Sequence, residues 1–339
     1  MASCLLLSEV APGFAKNNYK LRSVNVTQFK DQSLKSNCFV NGTEKAFLNR
    51  NKLGAGYLSL ANKWFLPIIE KLQPVLTNRK RPLILGISGS QGSGKSLLAD
   101  YLCTVVASRF NLNALPTSID DFYHTKHERY QLGQDIHPLL ATRGVPGTHD
   151  IDLAINVLDG LIEGSEDVLV PRFDKRIDDR CHVNSFTRVS NTLDLIVLEG
   201  WCLGANAQTM DKLQVDINKL ERDFDPKFIW REYVNDCLAG PYQKLFDYVD
   251  CWIMLRAPSF EHVLNWRLEQ EQKLMEKHRA SGIETSHKIM SRQEISSFIQ
   301  HYQRVTESIL DDLPARVHHL YQLDGDRAIV EYSKPLSSI

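Results

Sequence analysis

The feature that most constrains this chain is a glycine-rich octapeptide between two patterned segments. Residues 89–96 read GSQGSGKS and match the phosphate-binding pattern G-x-x-x-x-G-K-[ST] in full. The continuous apolar run 83–88 before it predicts a strand buried on both faces of a parallel sheet, and residues 95–110 after it predict a helix. In that setting, backbone N–H groups and the helix N-terminus surround a phosphate group. The order of the glycines, G-x-x-G-x-G, argues against a dinucleotide-binding fold.

The octapeptide predicts a nucleotide-binding site in which the last two side chains have separate tasks. Lys95 is expected to contact the β- and γ-phosphate oxygens of ATP, and the Ser96 hydroxyl is expected to bind Mg²⁺. The alternative is a glycine- and serine-rich turn that matches by chance. The residues predicted to bind the nucleotide are Gly89, Ser90, Gln91, Gly92, Ser93, Gly94, Lys95 and Ser96.

Strand-like and helix-like segments alternate along the chain. The predicted strands are 83–88, 114–119, 193–198 and 248–255, and the predicted helices are 57–73, 95–110, 150–162, 260–277 and 298–310. Pro67 is expected to kink or divide the first helix. The polar segment 278–294 has the composition of a mobile flap. The alternation predicts a three-layer α/β/α P-loop NTPase fold with a parallel sheet and a helical lid.

Carboxylates are predicted at the carboxyl ends of two strands, where parallel sheets bind their ligands. Glu199 closes the third predicted strand and is expected to meet Mg²⁺ directly or through water; a helix cap or a solvated turn is the alternative. Asp120 and Asp121 end the second strand. A carboxylate there can accept the proton of an alcohol during phosphoryl transfer, and one of the two is expected to do so. A capping or turn pair is the alternative.

Basic side chains in two loops and one helix are suited to an anionic acceptor. Arg143 begins a turn-rich loop, from which it can clamp a carboxylate with two parallel hydrogen bonds. Arg172 and Lys175 are predicted at the rim of the same cleft, with a solvated run of surface charges as the alternative. Arg267 is predicted to reach the transferring phosphoryl group, with an ordinary position on the helix surface as the alternative.

The order of six motifs resembles the D-glycerate 3-kinase family, plant-type enzymes and bacterial homologues, over about residues 55–330. More distantly, the chain is similar to uridine kinase, phosphoribulokinase and pantothenate kinase. The motifs are the phosphate-binding octapeptide, DDFY at 120–123, RGVPGTHD at 143–150, VPRFDK at 170–175, LEGWCLG at 198–204 and WRLEQE at 266–271.

This resemblance implies transfer of the γ-phosphate of ATP to the 3-hydroxyl of D-glycerate. It implies that Asp120 is the catalytic aspartate, that Tyr123 and His149 bind the acceptor, and that Arg267 belongs to the lid. It places Glu199 beside magnesium and residues 323–330 near adenine. The alternatives are a kinase for another small alcohol, such as a nucleoside or a pantothenate-like acid, and a non-catalytic ATP-binding regulator. The presence of Lys95, Asp120 and Glu199 together argues against the regulator.

Length and charge complete the sequence-based predictions. Of 339 residues, 1–54 are expected to form a polar N-terminal arm and 55–339 the P-loop kinase domain, with its lid around 260–297. Lys and Arg number 40 against 41 for Asp and Glu, so the sequence predicts no nucleic-acid or membrane partner. Seven scattered cysteines without a C-x-x-C pair predict neither a disulfide framework nor a zinc site. A cytoplasmic location is expected, or an organelle if residues 1–50 form a transit peptide; the oligomeric state stays open.

Overall fold

A six-stranded sheet carries the phosphate-binding segment on one of its central strands. The computed structural model describes residues 42–281 and 291–336. In spatial order the strands are β10 (Ile329–Ser333), β9 (His319–Leu323), β8 (Cys251–Arg256), β1 (Leu83–Gly89), β7 (Leu195–Gly200) and β2 (Ala114–Ser118). Every neighbouring pair is parallel except β9 and β10, which are antiparallel. The carboxyl ends of β1, β7 and β2 therefore meet at one edge.

The helices before and after the central strands form the outer layers. They are α1 (Gly42–Arg50), α2 (Gly56–Trp64), α3 (Leu66–Asn78), α4 (Lys95–Phe110), α5 (Lys126–Asp135), α6 (Ile151–Glu163), α7 (Met210–Gln214), α8 (Lys219–Phe224), α9 (Ile229–Cys237), α10 (Gln243–Phe246), α11 (Phe260–Ser281) and α12 (Arg292–Asp312). Short 3₁₀ turns lie at Ile119–Phe122, Pro138–Ala141, Val183–Ser185 and Leu313–Arg316, and a π-helical turn at Leu238–Tyr242.

The long connection between the neighbouring strands β2 and β7 forms a substructure of its own. It contains α5, α6 and two small antiparallel sheets. One sheet pairs β3 (Val168–Val170) with β6 (Thr187–Val189), and the other pairs β4 (Phe173–Asp174) with β5 (Asp179–Arg180). All the predicted acceptor-side residues therefore lie on one continuous stretch of chain.

Side chains of the central strands alternate between two hydrophobic cores. On β7, Ile196 and Leu198 pack into the core shared with α6, α9 and α12, whereas Leu195 and Val197 pack into the core shared with α1 to α4. All seven residues of β1 are buried. This burial on both faces explains why the strand reads as an uninterrupted apolar run. The three-layer α/β/α prediction is confirmed.

Most predicted elements are present with shifted ends. Pro67 lies in the first turn of α3, so the predicted helix 57–73 is divided into α2 and α3, as expected for a residue that terminates one helix and starts another. Helix α12 begins at Arg292, six residues before the predicted start, where Ser291 and Glu294 form a capping box. Residues 282–290 of the predicted flap lie outside the described residues. Strands β3 to β6, β9 and β10 and helices α1, α5 and α7 to α10 were not predicted.

Part of the segment predicted to be an arm packs against helix α4. Helix α1 buries Phe47 completely, and its ring lies 5.9 Å from the Tyr101 ring of α4. Arg50 on the same helix pairs with Asp100 at 2.5 Å. Residues 42–50 therefore pack against α4 through an aromatic contact and an ion pair.

Truncating Phe47 is expected to destabilise the fold, because the phenyl ring fills a fully buried site between α1 and α4. Phe47→Ala should lower the free energy of unfolding by about 3 kcal/mol, measured by urea denaturation. Lys45→Ala, an exposed change on the same helix, serves as the control and should stay within about 0.5 kcal/mol of the parent. Equal stability of the two variants would show that α1 is not part of the cooperative unit.

Candidate active site

The phosphate-binding turn adopts a backbone that depends on two glycines. Between β1 and α4, Gly92 and Gly94 have φ of 82° and 91°, in the left-handed region that favours glycine. A Cβ atom on Gly92 would lie 3.1 Å from the Cβ of Trp266 on α11. Among the described residues, the buried Ser90 and Ser93 hydroxyls have no hydrogen-bond partner. Buried hydroxyls without partners beside a helix N-terminus fit a cradle for phosphate oxygens.

Lys95, Ser96 and Glu199 converge at the start of α4. The Ser96 hydroxyl donates to Glu199 Oε1 at 2.7 Å, and Lys95 Nζ lies 3.8 Å from Glu199 Oε2. Glu199 is buried on β7, which pairs with β1 through Ile87 and with β2 through Ser118. No cluster of three or more metal-ligating side chains is found in the part of the chain that the structure describes. One hydroxyl and one carboxylate suit Mg²⁺, which takes its remaining ligands from phosphate and water.

Asp120 faces the cleft from the 3₁₀ turn that follows β2. Its Oδ2 accepts a hydrogen bond from Lys175 Nζ at 2.8 Å, and its Oδ1 accepts one from the Tyr123 hydroxyl at 3.1 Å. Burial alone would raise the pKa of this carboxyl group, but the charges of Lys175 and Lys95 outweigh burial and hold it below its ordinary value. Asp120 is therefore ionised at neutral pH.

Asp121 points away from the cleft and serves a structural purpose. Its Oδ2 accepts a hydrogen bond from Arg172 Nη1 at 2.9 Å, and its Oδ1 accepts one from the Phe173 backbone N–H at 3.2 Å. Burial raises the pKa of this second carboxyl group. Of the two adjacent acids, Asp120 is the one that lines the cleft. Arg172 is occupied behind it, holding the start of β4 to the end of β2.

Arg143 is held in place by a buried cluster on the β4–β5 connection. Its guanidinium pairs with Asp178 Oδ1, and the fully buried Arg129 pairs with Asp178 Oδ2 at 2.7 Å. Both guanidinium groups lie over the Phe173 ring, at 5.6 Å for Arg143 and 5.4 Å for Arg129. Arg143 therefore reaches the cleft as a rigidly positioned cation.

The cleft brings together seven of the predicted site residues and adds residues that were not predicted. Its predicted lining residues are Gln91, Lys95, Asp120, Tyr123, Arg143, Lys175 and Arg267. The residues that sequence reasoning missed are Trp201, Phe298, Ile299 and Tyr302. The lining thus holds four cationic side chains and one carboxylate, next to an aromatic wall.

The aromatic wall joins the end of β7 to helix α12. The rings of Trp201 and Tyr302 are 4.9 Å apart, and the Trp201 indole N–H donates to the Gly144 carbonyl at 3.0 Å. The Tyr302 hydroxyl donates to the carbonyl of Arg143 at 3.3 Å. Trp201 was visible within the LEGWCLG motif and Tyr302 on an apolar helix face, but neither pattern indicated that the side chain faces a ligand.

Of the predicted site residues Arg267 and His149, only Arg267 lines the cleft. Arg267 is buried on α11, lines the cleft, and donates to Gln270 Oε1 at 3.0 Å. His149 is also buried, but it lies behind Asp120 and Tyr123: its Nε2 is 4.0 Å from Asp120 Oδ1, and its ring stacks on Tyr123 at 4.2 Å.

The turn between β9 and β10 packs beside the phosphate-binding turn. Trp266 on α11 donates its indole N–H to the Gly325 carbonyl at 2.6 Å. Arg327 donates to the Gly92 carbonyl at 3.0 Å and lies 5.2 Å from the centre of the Trp266 ring. The segment 323–330, expected near adenine, is therefore next to the phosphate-binding turn and the base of α11.

The chain is similar in sequence to known kinases. It is 34% identical over 264 residues to the uncharacterized kinase mug58 of Schizosaccharomyces pombe, an alignment that covers 74% of this chain and 91% of that protein. It is 29% identical over 246 residues to the chloroplastic D-glycerate 3-kinase of Arabidopsis thaliana, covering 69% of this chain and 49% of the plant protein. The match thus spans about half the length of the plant enzyme.

A solved structure shares the fold. The D-glycerate 3-kinase of Cryptococcus neoformans var. grubii superposes with a TM-score of 0.63 at 22% sequence identity, over 79% of this chain and 99% of that chain. No protein-family model matches the sequence. Among the helices of the described ranges, none combines the length and the apolar character needed to cross a bilayer.

Removing the Lys175 charge is expected to raise the pKa of Asp120. Burial would then be opposed mainly by Lys95, so in Lys175→Met the carboxylate should take up its proton at a higher pH than in the parent. In the parent, the stability that ionised Asp120 contributes is present above about pH 4, the ordinary value for aspartate, and is lost as pH falls through the lower folded-state pKa. Carboxyl ¹³C NMR of labelled aspartate measures this directly.

Arg176→Met is the matched control for that titration, because Arg176 is a cation on the same hairpin that pairs with Asp174 instead of Asp120. It should leave the Asp120 titration in place. Identical titrations of Asp120 in the parent and in Lys175→Met would contradict the pairing in the cleft.

Proposed function

This chain belongs to the family of P-loop kinases that includes the Schizosaccharomyces pombe kinase mug58 and the plant D-glycerate 3-kinase, and on that premise we propose that it phosphorylates D-glycerate. The reaction would transfer the γ-phosphoryl group of MgATP to the 3-hydroxyl and yield 3-phosphoglycerate and ADP. The observation that carries the proposal is that an ionised carboxylate, Asp120, and the phosphate-binding Lys95 line one cleft.

The charge of the cleft supports a small anionic acceptor. Arg143 and Lys175 both follow Asp120 in the sequence, whereas the phosphate-binding turn precedes it. Both side chains line the cleft. Arg143 is fixed by Asp178 and Phe173, so little side-chain freedom is lost when it binds a carboxylate. A planar guanidinium matches a carboxylate with two parallel hydrogen bonds. We assign the acceptor carboxylate to Arg143, with Lys175 as the second cation.

Asp120 is the group proposed to receive the acceptor proton. A low pKa makes it a weak base toward a free alcohol, but the alcohol becomes strongly acidic as its oxygen bonds to phosphorus. A carboxylate that is ionised and oriented before the reaction then has to accept the proton only late in the transfer. Lys175 and Tyr123 provide that orientation through their hydrogen bonds to the two carboxylate oxygens.

Lys95 and Arg267 are proposed to act on the transferring phosphoryl group. Lys95 begins α4, and its ammonium group stays beside Glu199 at the mouth of the sheet. Arg267 reaches the same cleft from α11. Two cations beside the γ-phosphoryl group stabilise the negative charge that its oxygens carry in the transition state.

The side chains of Ser96 and Glu199 are the proposed ligands of Mg²⁺. Their oxygens are 2.7 Å apart at the start of α4, next to the buried hydroxyls of the phosphate-binding turn. When bound, Mg²⁺ would neutralise phosphate charge and orient the β- and γ-phosphates. The Ser96 hydroxyl and Lys95 both contact Glu199, so the charge of this buried carboxylate is compensated.

Replacing Asp120 by asparagine should remove most of the turnover and leave nucleotide binding nearly unchanged. The amide keeps the shape but cannot accept a proton, so kcat should fall by about 10² to 10⁴, while the Kd for MgATP stays within about threefold. Steady-state ADP release and calorimetric titration with a non-hydrolysable ATP analogue measure the two quantities.

Asp159→Asn is the control for this change. Asp159 also accepts a hydrogen bond from a tyrosine hydroxyl, that of Tyr248 at 2.7 Å, but it lies on α6 outside the cleft. Its kcat should match the parent. Full activity in Asp120→Asn would remove Asp120 from the chemistry and leave a nucleotide-binding role open.

The acceptor is tested with a panel of alcohols under MgATP: D-glycerate, L-glycerate, uridine, pantothenate and ribulose 5-phosphate. The cationic cleft predicts that D-glycerate stimulates ADP release most and that uridine, which has no anionic group, stimulates it least. Arg143→Leu should raise the KM for glycerate by about tenfold or more with little change in the KM for MgATP. Release of ADP at the blank rate with D-glycerate would refute the acceptor assignment, and stimulation by pantothenate instead would replace it.

A further inference from the structure

Behind Asp120 lies a buried imidazole whose two nitrogens have very different surroundings. The His149 side chain is completely enclosed, stacked on Tyr123 and in edge contact with Tyr242 at 5.9 Å. It is not among the residues that line the cleft. Its ring nitrogens therefore face protein groups only, and those groups decide which nitrogen carries the proton.

Tyr242 fixes the hydrogen-bond direction at Nδ1. The Tyr242 hydroxyl lies 2.5 Å from His149 Nδ1 and accepts a hydrogen bond from the Gly147 backbone N–H at 3.0 Å. The pKa of this hydroxyl is raised by burial, and the backbone N–H groups of Gly147 and His149 act in the opposite direction because both point at its oxygen. A tyrosine hydroxyl has one proton to donate. With its oxygen used as the acceptor for backbone N–H groups, that proton goes to Nδ1.

A neutral imidazole that accepts at Nδ1 carries its proton on Nε2. Burial lowers the pKa of His149 to about 3, so the ring is neutral at physiological pH. Nε2 has no hydrogen-bond partner among the described residues and lies 4.0 Å from Asp120 Oδ1. Nε2 is thus beyond hydrogen-bond distance of the carboxylate that faces the cleft, but the dipole of an Nε2–H group this close favours the ionised form of Asp120.

We propose that Tyr242 is a positioning residue that locks His149 in the Nε2–H tautomer, so that a buried donor backs Asp120 and keeps its carboxylate directed at the acceptor. The Gly147 N–H donates to the Tyr242 hydroxyl, the hydroxyl donates to His149 Nδ1, and His149 Nε2–H lies 4.0 Å from the carboxylate of Asp120. No proton is transferred along this chain. The tautomer itself is independent of the reaction, whereas its effect on turnover rests on the proposed function.

The location of Tyr242 explains how a distant segment reaches the site. It ends the π-helical turn Leu238–Tyr242, a rare conformation that is frequent at functional sites. Its side chain is fully buried against the loop that holds Gly147 and His149. The other charged or titratable groups around the imidazole are Asp120 in the 3₁₀ turn, Tyr123 and His124 in the segment that follows it, Arg129 on α5 and Lys175 in the β4–β5 hairpin.

The tautomer is tested first in the parent protein, by ¹⁵N NMR of histidine-labelled enzyme without substrates. From about pH 5 to about pH 9, a range in which an ordinary histidine titrates, His149 should show a protonated Nε2 and an unprotonated Nδ1. In Tyr242→Phe the pure pattern should be replaced by a mixture of tautomers. A protonated Nδ1 in the parent would overturn the proposal. Because this readout needs no acceptor, it stands even if D-glycerate is not a substrate.

The consequence for Asp120 is measured by the same variant. Without the fixed donor, the pKa of Asp120 should rise in Tyr242→Phe, seen by carboxyl ¹³C NMR and as a shift of the acid limb of kcat/KM to higher pH. The kcat/KM for the acceptor should fall about tenfold, with the KM for MgATP within about twofold. A fall in kcat/KM for the acceptor without any change in the titration of Asp120 would contradict the positioning role of Tyr242.

Two further variants separate positioning from general destabilisation. Tyr321→Phe removes a tyrosine hydroxyl that is equally buried but donates to the Trp64 carbonyl at 2.7 Å, away from the cleft. This variant should leave the acid limb of the pH profile of kcat/KM unchanged. His149→Gln keeps a donor and an acceptor on one side chain and should retain more activity than His149→Leu. Equal activities of these two His149 variants would argue against a donor role.

Discussion

The arrangement of this molecule depends on parallel pairing among β1, β7 and β2. Because these strands run in the same direction, the phosphate-binding turn after β1, Glu199 at the end of β7 and Asp120 just after β2 arrive at one edge of the sheet. Burial of both sheet faces fixes the register, since a slip of one residue would exchange the side chains of the two cores. The positions of the polar groups are therefore set by the apolar ones.

At that edge, electrostatics rather than packing decides what each acid can do. Asp120 and Asp121 are neighbours in sequence, yet Lys175 and Lys95 hold the pKa of Asp120 low while burial raises that of Asp121. The first acid faces the cleft and the second anchors Arg172. Identical side chains thus acquire different roles because a 3₁₀ turn points them in different directions.

The fold and the phosphate side of the site could be read from the sequence because they rest on local patterns: an apolar run, a glycine turn and acids at strand ends. The aromatic wall could not. Helical spacing placed Tyr302 on an apolar face but did not indicate that its ring packs against Trp201 to form one wall of the cleft. The position of His149 behind Asp120 and its link to Tyr242 depend on a long-range contact across 93 positions. Helix α1 was missed because nine residues carry too weak a periodicity to stand out from a polar segment.

The connection between β2 and β7 supplies Asp120, Tyr123, Arg143 and Lys175 as one uninterrupted insertion, whereas the nucleotide is handled by elements before and after it. Two adjacent parallel strands need a crossover of only about a dozen residues, so this connection is much longer than the pairing of β2 and β7 requires. When the two parts of a site lie on separate segments, substitutions in one connection can change the acceptor that binds. The phosphate-binding turn then stays unchanged. Divergent specificities on one conserved framework are the evolutionary outcome that such modularity favours.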